Sequence, residues 1–162
     1  MYNFYIYKIC NIYCSFAVAI ILQYVLFFSI TWYLQPSWTM MLLIYWIVLI
    51  PNKINIGTGF FLGLILDCIS CSTLGIQTLS MSIISYLTIR KIYLFRHTYV
   101  WQQSIFIVLF SFINQNIKFL IQFLMFSVSY SPKIFYNCIL DGIMWPVLIF
   151  LIHKINNSSK IC

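Results

Sequence analysis

Acidic side chains are nearly absent from this chain: among 162 residues only Asp67 and Asp141 carry a carboxylate, against nine Lys and Arg. Charged residues of either sign make up 7% of the sequence and apolar ones 63%, where a soluble domain has roughly 45–50% apolar. So few polar groups cannot cover the surface of a water-soluble fold of this size. A nucleic-acid module is excluded as well, because the basic residues are scattered rather than gathered on one face. His97 and His153 are the two histidines, and neither has an acid near it in sequence to orient it. No phosphate loop, nucleophile elbow or HExxH stretch occurs. Cys68-Ile69-Ser70-Cys71 has CxxC spacing, but a lone pair lacks the second pair or histidines of a zinc site. The six cysteines read as small apolar packing residues. Catalysis, cofactors and metals are therefore not expected.

Long apolar runs dominate what remains. A spanning helix needs about 20 mostly apolar residues, and candidates lie at Ile9–Ile30, Trp38–Ile50, Ile54–Ile69, Leu74–Leu87, Val100–Val128 and Ile134–Ile152. The second and third are short and could be fused, but Pro51 opposes this by removing a backbone donor and clashing with the preceding turn. The stretch Pro51-Asn52-Lys53-Ile54-Asn55 reads as a tight turn. The first run is too long for the core of a signal peptide and reads as an anchor. With loops this short, residues 1–162 form a single transmembrane bundle.

Charge placement tests the number of spans independently. With six spans and the N-terminus inside, Lys8, Lys53, Arg90, Lys91, Arg96, Lys154 and Lys160 are cytoplasmic, and only Lys133 is external. Seven basic residues against one is the sorting that short loops require. Five spans would move Arg90, Lys91 and Arg96 to the side opposite Lys8 and lose it. The expected fold is an all-α integral membrane protein with six transmembrane helices, both termini inside. Its basic rim favours the anionic inner leaflet.

Ionisable groups inside a membrane usually face a bundle interior or a water-filled cavity. At 1.5 Å per residue, Asp67 lies roughly 20 Å up the third span, Asp141 roughly 10 Å down the sixth, and Lys118 roughly 27 Å up the fifth. All three fall in the outer half. An outward polar pocket lined by Asp67, Asp141 and Lys118 is one reading. In the other, Lys118 snorkels to the headgroups and each aspartate caps or bonds its neighbours. Asn114, Gln115, Asn116 and Gln122 make the fifth span too polar to face lipid all round. In the third span, Gly57, Gly59 and Gly63 include a small-xxx-small pair that lets two helix backbones approach. A helix–helix interface is expected at Gly57, Gly59, Gly63, Asn114 and Gln115.

Several motifs, taken in order, carry a resemblance. They include Pro36-Ser37-Trp38, Tyr45-Trp46, Asn55-Ile56-Gly57-Thr58-Gly59-Phe60, Gly63, Asp67, Ser72-Thr73-Leu74-Gly75, Trp101-Gln102-Gln103 and Gly142-Ile143-Met144-Trp145-Pro146. From about residue 12 onward the chain resembles the MreD family, small inner-membrane proteins of the bacterial rod-shape (elongation) machinery. The resemblance implies a scaffold or regulator that binds MreC. It also implies association with MreB and the RodA–penicillin-binding-protein synthase during side-wall peptidoglycan synthesis. The family in turn resembles the substrate-binding subunits of energy-coupling-factor transporters, six-helix bundles with an outward pocket. That likeness leaves a small-molecule or lipid-binding role as the alternative. The resemblance implies acids where Gln115 and Gln122 stand, no lysine at Lys118, and an amide at Asp141, and the sequence departs from the family pattern at each. Asp67 lies within the best-matching stretch and is the residue expected to matter most.

Overall fold

The structure is a computed structural model that describes residues 12–24, 36–70, 74–126 and 133–158. Residues 9–11 and 25–30 of the first expected span and 127–128 of the fifth lie outside the described residues, as do Lys8, Lys160, Cys71 and Ser72-Thr73. Seven helices are described: α1 (Ile12–Tyr24), α2 (Trp38–Leu49), α3 (Ile56–Ile69), α4 (Ile76–Arg90), α5 (Ile92–His97), α6 (Val100–Phe126) and α7 (Lys133–Ser158). Among the described residues there is no strand.

α2 and α3 are separate helices. A residue before proline is pushed out of the helical region, and Ile50 accordingly has φ −135° and ψ 68°, its N–H closing the last turn on Trp46. A turn over residues 51–53 follows. The short α5 was not expected: Lys91 interrupts the helical path after α4, and six further residues coil before the next break.

Side-chain bonds fix the directions of the pairs. Ser15 accepts from the Trp46 indole at 3.0 Å, while Gln23 at the other end of α1 accepts from the Thr39 hydroxyl, so α1 and α2 are antiparallel. α3 and α4 form an antiparallel hairpin, with Gly59 against Ser85 and Gly63 against Thr78. α6 and α7 also run antiparallel, with Gly142 against Val108 and the Trp145 indole donating to Gln103 at 3.4 Å.

α2 is the centre of the bundle. Met40, Met41, Leu43, Ile44 and Ile47 are all fully buried, as expected of a helix that is apolar all round. Tyr45 meets Trp145 edge-on at 6.5 Å, and Phe95 of α5 stacks on Phe110 of α6 at 5.8 Å. The outward faces of α6 and α7 expose Ile105, Leu109, Leu120, Leu124, Ile139, Ile143 and Phe150, an apolar surface suited to lipid or a partner.

Of the described helices, one is long and apolar enough to cross a membrane on its own, the 25-residue run Val100–Leu124 of α6. It measures about 37 Å against a hydrocarbon core of about 30 Å. α2 and α3, with 12 and 14 residues, reach only about 18 and 21 Å.

Candidate functional site

The first turn of a helix leaves four backbone N–H groups unpaired. α4 begins after Gly75, whose φ of 109° suits a residue without a Cβ and which offers no capping side chain. Asp67 supplies the cap from the last turn of α3. One carboxylate oxygen accepts from the Gly75 N–H at 2.9 Å, the Thr78 N–H at 3.1 Å and the Thr78 hydroxyl at 2.7 Å. The other accepts from the Gln77 N–H at 3.0 Å. Asp67 is fully buried, and the positive end of the α4 dipole favours a negative group there.

Asp141 uses a related device at α2. It is fully buried on α7. Its two oxygens take the N–H of Ser37 at 2.7 Å and the Ser37 hydroxyl at 2.8 Å, fixing the residue that precedes the helix. Ser111 of α6 donates its hydroxyl to the same carboxylate. At Gly142, the next residue along, a Cβ would lie 2.3 Å from a Val108 methyl, so α6 and α7 approach closely there. The opposite end of α2 is capped by a cation. Arg96 donates through Nε and Nη2 to the Val48 carbonyl at 3.1 and 2.9 Å, completing the charge pattern that a helix dipole prefers.

One turn beyond Ser111 on α6 stands Asn114, fully buried, with neither amide atom hydrogen-bonded. Another turn on, Lys118 is half-buried, like Asp67 and Asp141 an ionisable residue within an apolar helix. Among the described residues it forms no direct ion pair with either. Each aspartate is engaged at its own helix start. A cavity lies elsewhere, between α1 and α3.

The small-residue pair makes a contact inside the chain. A Cβ on Gly63 would lie 2.4 Å from the Thr78 Cα, and one on Gly59 would lie 2.0 Å from the Ser85 hydroxyl. These glycines seat α4, so Gly59 and Gly63 take part in a helix–helix contact within the chain. Asn114 is sealed within the chain. Gly57, with open space around its Cβ position, and the half-buried Gln115 remain accessible. Ser37, Gly75, Thr78, Ser111 and Gly142 were not singled out as site residues. Ser37 had a readable signal, a serine immediately before an apolar run. Among the described residues, no cluster of His, Cys, Asp and Glu is arranged to hold a metal.

Apolar helices, apolar outer faces and buried acids spent on capping the starts of neighbouring helices define a helical protein of membrane type. The family profile described as rod shape-determining protein MreD matches residues 5–155, and the chain belongs to that family. A curated relative named rod shape-determining protein MreD, from Haemophilus influenzae, is 34% identical over 128 residues, covering 79% of each chain. Membership assigns a role in rod-shape determination, within a structural rather than an enzymatic family. No solved structure matches the chain significantly, and the likeness to energy-coupling-factor subunits gains no support.

Proposed function

We propose that this protein is a six-span, non-enzymatic scaffold of the inner membrane, with both termini in the cytoplasm. It binds MreC and, through that complex, works with MreB and the RodA–penicillin-binding-protein synthase to support side-wall peptidoglycan synthesis. Membership of the rod-shape family over residues 5–155 carries this reading. The charge sorting of the loops supports the orientation, and the antiparallel helix pairs agree with it. Short α2 is tolerated because protein rather than lipid surrounds it.

The partner helix approaches where small or polar residues remain open, at Gly57 on α3 and Gln115 on α6. Co-expression with MreC followed by affinity purification tests the proposal. A stable complex that Gly57→Leu or Gln115→Leu weakens is the expected result. Purification of the protein alone, with MreC recovered separately, would overturn it.

A further inference from the structure

A cavity of about 520 Å³ opens between α1 and α3. Thr58, Phe61, Leu62 and Ile65 line it from one face of α3, at the i, i+3, i+4, i+7 spacing of a single helical stripe. Opposite them stand Ile12, Tyr13 and Phe16 of α1. Among the described residues the lining is polar at Thr58 and exposed Lys53, toward the turn before α3, and at the Tyr13 hydroxyl; the rest is apolar. Tyr13 and Phe61 are about two-thirds exposed at the rim, at 67% and 68%, so the groove opens sideways, as access from a bilayer requires.

We propose that this groove binds one acyl chain of an anionic phospholipid, with the phosphate at Lys53. The chemistry is graded in the sense the ligand requires: a cation at one end, then aromatic and aliphatic walls. Dimensions agree. Thr58 to Ile65 spans about 10 Å of helix, and the Lys53 end adds to it, within the roughly 15 Å depth of one leaflet. A juxtamembrane lysine favours an anionic headgroup by charge. That the leaflet is the cytoplasmic one rests on the orientation proposed above; the groove and its ligand do not.

The test is native mass spectrometry of the full chain from nanodiscs containing phosphatidylglycerol and phosphatidylcholine with identical acyl chains. Preferential retention of phosphatidylglycerol is expected. Lys53→Gln should reduce that preference at least fivefold, and Thr58→Trp, which fills the groove, should displace both lipids. Equal retention of the two lipids, or retention unchanged in both variants, overturns the proposal. A protein segment cross-linking into the groove in place of lipid also overturns it. Lys53→Gln alters an exposed side chain and keeps the test decisive if the tryptophan variant fails to fold. Nanodiscs present both faces of the protein, so lipid retention there does not depend on orientation; an error of orientation would appear separately, in protease accessibility of the loop at residues 51–55 in sealed spheroplasts.

Discussion

Asp141 on α7 grips Ser37 with both carboxylate oxygens, at 2.7 Å to the N–H and 2.8 Å to the hydroxyl. The contact joins residues 104 positions apart and seats the start of α2, whose side chains Met40, Met41, Leu43, Ile44 and Ile47 are fully buried. Hydroxyls can donate or accept, so the arrangement does not require a carboxylate. In Asp141→Asn the amide oxygen can still accept from the Ser37 N–H, while the amide nitrogen donates to the hydroxyls of Ser37 and Ser111. Asp141→Asn should therefore change the melting temperature in detergent by no more than the equivalent of about 1 kcal/mol. Asp141→Leu leaves those groups buried and unpaired and should cost about 1–3 kcal/mol. Circular dichroism melts of the two variants side by side check the contrast; equal losses would refute it.

Asp67 allows no such exchange. Its oxygens face the N–H groups of Gly75, Gln77 and Thr78, and backbone amides only donate. Either orientation of an asparagine aims its NH2 at a donor. Asp67→Asn should lower stability by roughly 1–3 kcal/mol, and Asp67→Ala by at least as much. Hydrogen exchange should then rise first at the amides of residues 75–78. Unchanged protection there would mean that the α4 start is held by something other than this carboxylate.

How far the sequence displayed these relationships depends on their range. Apolar runs and Pro51 located most helix boundaries within a few residues, because both act locally. The two acids stood out in the sequence as costly intramembrane groups, and helix capping was one of two readings open for them. Choosing between the readings required knowing which amides lie opposite, and Asp141 meets Ser37 across 104 residues. Gly59 and Gly63 were recognisable as a site of close helix approach. Their partner, α4 of the same chain, could not be read from spacing, since a glycine stripe has the same form against any helix.

The three glycines of α3 make that distinction measurable. A Cβ on Gly63 strikes backbone atoms of Thr78 at 2.4 and 2.8 Å, which only separation of the helices can relieve. On Gly59 the closest atom is the Ser85 hydroxyl, which can rotate away. On Gly57 nothing lies within 4 Å, and alanine there gains helix propensity of up to about 1 kcal/mol. Gly63→Ala should thus cost about 1–3 kcal/mol, Gly59→Ala less, and Gly57→Ala nothing. Adding Ser85→Ala should recover part of the loss in Gly59→Ala and none in Gly63→Ala. Melting curves giving any other order would remove α4 as the partner of this stripe.

Asn114 inverts the usual direction of a core substitution. Its amide is fully buried with neither atom paired, and each unsatisfied buried polar group costs about 1–3 kcal/mol. Leucine has the same branched shape, a larger volume and no polar atom, so the gain is offset in part by tighter packing. Asn114→Leu should therefore raise the melting temperature of the isolated protein, by roughly 2–4 °C per kcal/mol recovered in a chain of this length. Neighbouring Ser111 keeps its bond to Asp141, so the α6–α7 contact survives the change. If the variant melts lower instead, the amide is bonded in the membrane and contributes to the core. A variant that melts higher but no longer purifies with MreC would place the amide in the conformational change that accompanies binding, since a sealed side chain can reach a partner only by moving.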